Sequence, residues 1–389
     1  MAEQYVKYMV DQINEVMFGM RGVIELSFVA LYTKGHVLLE GNPGLGKTAL
    51  ARNLSRTMGL PFGRIQFTPD LLPSDITGTE RPIDNNRGGF DIQFQPGPVF
   101  TSFLLADEIN RATPKTQAAM LESMAERRAT VLGQPYMLNH YDFTARQRDP
   151  REDSSRPFMV MATQNPIDQE GTYDLPEAQS DRFMFKILMP TPDNGHLRQI
   201  LTKTTTNVDE QEVPLNPYVG DAIDNYDRIV SQIRAVDVDE NSPLYVHIVN
   251  IFMATNLKAD QIDNRHFVRN QDKRLIQLME NIRYGIGPRG ARDMLLASKA
   301  RARLFSGSGE PNAVSLAEVI LPILRHRLKL SYGWDQGEAP VVKVPDGIEA
   351  DRRIDYFIRD LAISCAPARD EHAQQFRDAI NKVIEAKKY

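Results

Sequence analysis

Residues 40–51 read EGNPGLGKTALA, in which Gly41 is followed after four residues by Gly46-Lys47-Thr48. The short apolar run His36-Val37-Leu38-Leu39 precedes this stretch, as expected of a buried strand. After it, Ala49, Leu50, Leu54 and Met58 recur near helical spacing, and Gly59 supplies a helix stop. A glycine-rich loop between a strand and a helix is the setting in which this spacing holds a phosphate. Glycines let the backbone turn its N–H groups inward around an anion. The helix start adds unsatisfied donors and a partial positive charge. Asn42, Pro43, Gly44, Leu45, Gly46, Lys47, Thr48 and Ala49 then form the cradle for a nucleotide. Lys47 reaches the β- and γ-phosphates, and the Thr48 hydroxyl ligates magnesium. The competing reading is a turn that precedes a lysine by chance, and the flanking strand and helix weigh against it.

The chain has 389 residues, enough for two domains or one large one. No long apolar run predicts a transmembrane helix. The first residues, MAEQYVKYMVDQINEV, mix acids and bases and lack a signal-peptide core. The single cysteine, Cys365, has no intrachain partner and fits a reducing cytoplasm. The net charge of −5, with no basic-aromatic stretch, argues against bulk nucleic-acid binding and against an anionic membrane surface.

Strands are predicted at 36–39, 64–67 (RIQF), 103–106 (FLLA), 157–162 (PFMVMA) and 183–188 (FMFKIL). Interleaved with helical patterns, they suggest a parallel sheet covered by helices. From about Thr191 the strands stop. Segments 247–257, 273–282, 291–305 and 315–328 read as helices, the last with a capping box at Ser315 and Glu318. A polar tail from about 336 ends in a further helix near 370–387. Two hairpins interrupt the first half, at 83–98 and 127–138. The charged stretch 139–156 reads as an exposed loop.

Hydrolysis requires more than a phosphate cradle. The apolar run 103–106 ends in Asp107-Glu108. A carboxylate at the end of a buried strand can hold magnesium beside the phosphates. The next acid can polarise an attacking water. The alternative is an acidic strand end that merely caps a neighbouring helix. Thr113-Pro114 starts the following helix. Asn165, after the apolar strand predicted at 157–162, either hydrogen-bonds the γ-phosphate or the attacking water, or begins an Asn-Pro turn. Arg182 and Arg289 suit charge on a transferring phosphoryl group, or serve as surface ion-pair partners. His36, His140, His196, His247, His266 and His326 show no metal-ligand spacing and read as structural.

Together, GHVLLEGNPGLGKTALA, LLADEINRATPKTQAAMLESM, ATQNPIDQEGTYDLPEAQSDRF and GPRGARDMLLASKARARL closely resemble the MoxR family of AAA+ ATPases. The resemblance covers roughly residues 10–330. It implies an α/β AAA+ P-loop core with a parallel sheet over 1–190 and a helical lid over 191–335; a C-terminal tail with a helix, 336–389, lies beyond it. The core would carry a helix-2 insert (about 68–98) and a pre-sensor hairpin (about 127–138). Lys47 and Thr48 look like Walker A, and Asp107 and Glu108 like Walker B. Asn165 looks like sensor 1, Arg182 like the arginine finger reaching a neighbouring subunit, and Arg289 like sensor 2. Phe18-Gly19 matches the place where such proteins hold adenine. ATP and Mg2+ are the implied ligands. A homo-oligomeric ring, usually a hexamer, is the implied assembly, with a von Willebrand factor A domain protein and a client as partners. The stretch 139–156, the segment from about 205 to 272 and the tail depart from the family pattern. Three other classes are weighed: a P-loop kinase of small molecules or nucleotides, a nucleic-acid motor, and a non-hydrolysing switch or scaffold, which the presence of Glu108 disfavours. The Asp-Glu pair favours water as acceptor over the first, and the acidic balance weighs against the second.

Overall fold

The computed structural model describes residues 2–84, 89–131, 133–138, 141–142, 147–148, 157–165, 171–206, 212–214, 219–257, 273–307, 309–335, 340–367 and 371–386. Five strands build the central sheet: β1 Val37–Glu40, β2 Phe62–Gln66, β3 Phe103–Asp107, β4 Met159–Gln164 and β5 Phe185–Leu188. Their order is β5-β1-β4-β3-β2. The pairs β1–β4, β4–β3 and β3–β2 are parallel. β1 is buried throughout, and β3 is buried up to Asp107. That is why both read as continuous apolar runs without alternation. Each strand departs from its sequence-predicted bounds by one or two residues. Phe67, predicted as a strand end, lies just past β2, yet its N–H still donates to Asp107 O at 2.9 Å.

Helix Lys47–Met58 follows β1 and buries Leu50, Leu54 and Met58 of the predicted face, with Ala51 buried beside them and Ala49 only half-buried. Helix Pro114–Glu126 follows β3 with Thr113 as its N-cap. Leu38, Leu104, Ala106, Val160 and Ala162 pack in one core with Phe67, Met120 and Phe183.

Both hairpins form. Gly78–Asp84 pairs antiparallel with Phe90–Pro96, and Arg128–Val131 with Gln134–Met137. The turn of the first, 85–88, lies outside the described residues. Phe94 stacks on Tyr136 with ring centroids 4.0 Å apart, so an aromatic pair joins the two hairpins. Further along the same face, Phe90 and Ile92 are 75 % and 73 % exposed. Most of 139–156 lies outside the described residues; Tyr141–Asp142 and Gln147–Arg148 pair as two-residue strands.

The chain divides into two compact units. One comprises Tyr8–Phe183 and Ile187–Ile229; the other comprises Met1–Lys7, Met184–Lys186 and Val230–Tyr389. The second unit is built of helices Pro243–Asn256, Lys273–Glu280, Pro288–Phe305, Ala313–Leu324, Arg353–Cys365 and Glu371–Glu385. Three sequence expectations need correction here. Strands do not stop at 191, because Ile282–Tyr284 pairs with Lys329–Leu330. The capping box belongs to Asn312 and Ser315, which exchange bonds at 2.9 and 3.1 Å. Asn caps as well as Ser does, so the helix starts two residues earlier and Ser315 takes the third helical position. The tail holds two helices, whose buried Phe357, Ile358, Leu361, Phe376 and Ile380 make it part of the unit's core. Among the described residues no helix is long and apolar enough to cross a membrane.

Candidate nucleotide site

The strands β1, β3 and β4 end together, since Glu40 pairs with Gln164 and Ala162 with Ala106. In open α/β sheets this carboxyl edge is where ligands bind. The glycine loop leaves β1 at this edge. Gly44 and Gly46 have φ of +83° and +79°, conformations that cost an L side chain steric strain. Gly46 is also the N-cap of helix Lys47–Met58, where no side chain caps the helix. The first amides of that helix are therefore left for an anion. Lys47 Nζ donates to Gly41 O at 2.6 Å and to Gln164 O at 3.3 Å. The ammonium thus stands between the loop and the residue before Asn165. Burial pushes it below the ordinary lysine value, opposed by the charges of Asp107, Glu108 and Glu40.

The acidic pair is built with equal care. Successive side chains of a strand point to opposite faces. Glu108 breaks that alternation, because its backbone lies in the left-handed region at φ 55°, ψ 49°. A non-glycine residue pays about 1–2 kcal/mol for this conformation. The consequence is visible one strand away, on Arg64 and Gln66, which share a face of β2. Arg64 Nη2 donates to Asp107 Oδ2 at 2.7 Å, and Gln66 Nε2 donates to Glu108 Oε2 at 2.9 Å. Both consecutive acids therefore reach the same side of the sheet. Arg111 adds an ion pair to Glu108 Oε2 at 3.3 Å. Thr163, fully buried on β4, fastens the turn from the other side. Its hydroxyl donates to Asp107 Oδ1 at 2.6 Å and accepts from the Glu108 N–H at 2.8 Å.

A model of the ATPase family associated with various cellular activities (AAA) matches residues 36–185, the span that holds all of these groups. The chain is 35% identical over 321 residues to Chaperone MoxR1 of Mycobacterium tuberculosis, covering 82% of this chain and 74% of that one. It is 27% identical to Protein MoxR of Paracoccus denitrificans over 339 residues, 83% of this chain and 88% of that one. The crystal structure of a candidate ATPase from Cytophaga hutchinsonii superposes with a TM-score of 0.70 at 32% identity, covering 92% of this chain and 94% of that one. The chain belongs to the MoxR family of AAA+ ATPases. As such it hydrolyses ATP to ADP and phosphate.

The remaining sequence-predicted residues of this MoxR-family chain fall as follows. Asn165 is buried just beyond β4. Phe18 and Gly19 lie between helices Ala2–Val16 and Arg21–Tyr32, and a Cβ on Gly46 would stand 3.4 Å from Met17 Cε. The turn that carries Phe18 and Gly19 is thus beside the phosphate loop. A Cβ on Gly19 would come within 3.0 Å of the His196 ring, so only glycine fits there without displacement. Arg182 follows the short helix Glu177–Ser180, and its Nη1 donates to Leu121 O at 2.5 Å. Among the described residues no hydrogen bond joins Arg182 to Lys47, Asp107 or Glu108 of its own chain. Arg289 lies in the second unit, at the second position of helix Pro288–Phe305. His36 is structural: its ring accepts from Val160 N–H at 3.0 Å, and burial holds its pKa down at about 3.

Sequence reading missed Arg64, Gln66 and Thr163. The available signal was a threonine directly after the apolar run PFMVMA, and two polar residues two apart in a predicted strand. Thr163→Val keeps shape but leaves the Glu108 N–H and one Asp107 oxygen without their partner. Loss of about 1–3 kcal/mol in urea unfolding is expected, together with a lower kcat. Unchanged values of both would show that the hydroxyl does not hold the acidic turn.

Proposed function

We propose that this MoxR-family ATPase acts as a homo-oligomeric ring, a hexamer, that couples ATP hydrolysis to chaperone-like remodelling of a client protein. The observation that carries this reading is the left-handed turn at Glu108, which sets Asp107 and Glu108 side by side at the strand edge facing the Lys47 loop. Lys47 binds the β- and γ-phosphates, and the amides of residues 44–49 surround them. Thr48 and Asp107 are hard oxygen donors of the kind magnesium takes together with nucleotide phosphates. That ion, when bound, screens the negative charge of the phosphate oxygens. Glu108 takes up the proton of the attacking water, and Asn165 orients the water or the γ-phosphate. Arg182 supplies positive charge to a neighbouring subunit's site. Its hydrogen bond to Leu121 O, away from its own acidic pair, supports that direction. Arg289 is the candidate sensor of the phosphate state, and Phe18 and Gly19 border the adenine.

The relative named a chaperone supports remodelling as the outcome. A protein with a von Willebrand factor A domain fits as the partner, and the exposed Phe90 and Ile92 of the first hairpin fit as client contacts. The cytoplasm is the compartment this reading assigns.

Product analysis tests the reaction class. With ATP and magnesium alone, ADP and free phosphate are expected in equal amounts. ADP without free phosphate, with an added acceptor phosphorylated, would establish the kinase reading instead. Stimulation by DNA or RNA that salt abolishes would establish a nucleic-acid motor.

A further inference from the structure

Two arginines one residue apart are buried in the second unit, where no role in nucleotide chemistry has been given to them. The side chains of Arg325 and Arg327 are each 2 % exposed. Arg325 grips Asp355 with two bonds of 2.7 Å, and Arg327 Nη2 donates to Asp293 Oδ2 at 2.7 Å. Each also turns its Nη1 to a main-chain carbonyl of one short segment, and Arg327 Nη1 shares its donors with Ile323 O of the preceding helix at 3.0 Å. Arg327 donates to Met184 O at 3.1 Å and Arg325 to Lys186 O at 3.3 Å. Two alternate arginines thus hold two alternate carbonyls.

Buried ion pairs add little net stability over apolar packing of the same volume, so stability is a weak reason for two of them here. What they connect is more informative. Met184 lies two residues after Arg182 in the chain and groups with the second unit, whereas Phe183 groups with the first. Asp293 lies one helical turn after Arg289 in helix Pro288–Phe305. Gly290, beside Arg289, leaves the room that the Arg327 stem occupies: a Cβ there would stand 3.2 Å from Arg327 Cδ. The first turns of the Arg289 helix, the Arg327 fork and the backbone just after Arg182 are therefore one hydrogen-bonded assembly.

We propose that Arg327, held by Asp293, is a positioning residue that ties the helix bearing Arg289 to the chain segment bearing Arg182. A displacement of that helix is passed through Asp293 and the planar guanidinium to the Met184 carbonyl, and so to the arginine two residues before it. Arg325, gripped by Asp355, holds the Lys186 carbonyl two residues further on and with it the direction of the segment. The proposal rests on the reading of Arg182 as the arginine that meets phosphoryl charge.

The test is a double-mutant cycle. Arg327→Met with Asp293→Leu removes both charges at similar volume and leaves no unpaired buried ion. With thermal unfolding and assembly near wild type, kcat is expected to fall about tenfold or more, because misplacement of a group by an ångström can cost a hundredfold. The KM for ATP should change by no more than about twofold. In an Arg182→Ala background the same pair should change kcat by less than about twofold, since the two act in series. A wild-type kcat in the paired variant, or an equal loss in both backgrounds, would overturn the link to Arg182. Full activity of Arg182→Ala by itself would instead remove the reading on which the link rests. Arg327→Lys is the second variant, for use if the pair does not fold. A single ammonium cannot serve Asp293 and Met184 O as the planar fork does, and the same cycle applies to it.

Discussion

Glu108→Gln is expected to bind ATP as the natural chain does and to hydrolyse it at least about a hundredfold more slowly. The carboxamide has the shape of the carboxylate and can still accept from Gln66 Nε2, which lies 2.9 Å from Glu108 Oε2. The backbone turn, held by Thr163 at 2.8 Å from the Glu108 N–H, involves no side-chain atom of residue 108. What disappears is the group that can take a proton from water. Binding and folding should therefore survive while the chemical step fails. Nucleotide affinity by fluorescence titration and kcat by phosphate release separate the two. A kcat within a few-fold of wild type would mean that another residue serves as base. Loss of binding would mean that the charge at 108 holds the nucleotide rather than activates water.

Arg182→Ala is expected to lower kcat by about a thousandfold, the magnitude that arginine fingers carry in phosphate-loop enzymes. The side chain donates to Leu121 O and to none of the acidic pair in its own chain. Phe183, fully buried in the core beside it, fixes the backbone at that point independently of the guanidinium. Removing the charge should leave the subunit folded and able to bind ATP. It should remove positive charge where a neighbour's phosphoryl group is split. An Arg182→Ala variant with wild-type kcat, assembled and folded, would exclude that role.

The difference between what was legible in the sequence and what was not follows from range. The phosphate loop is local: glycines, lysine and threonine act within one turn of chain, so their spacing alone reports their geometry. The sheet was legible because parallel strands buried on both faces read as unbroken apolar runs. Thr163, Arg64 and Gln66 escaped because their meaning depends on which strands are neighbours. Nothing in RIQF or MVMATQ states that β3 lies between β2 and β4. The helix Arg353–Cys365 escaped for a different reason. Its charges at Arg353, Asp355, Arg359 and Asp360 mask the buried Phe357, Ile358 and Leu361, and Asp355 is itself buried against Arg325. The cap of Ala313–Leu324 was misplaced because Asn312 and Ser315 are both good caps, and local sequence does not rank them.

One mixing experiment addresses the shared site most directly. Glu108→Gln and Arg182→Ala subunits are each nearly inactive in this account, for different reasons and in different halves of the site. Combined in equal amounts and allowed to exchange, they should regain activity at every boundary where an intact Glu108 meets an intact Arg182. Random assembly around a ring of heterologous contacts gives about a quarter of such boundaries. Phosphate release near a quarter of the wild-type rate is the predicted result. A mixture no more active than the sum of its two components, with exchange verified, would contradict a site completed by the neighbouring subunit.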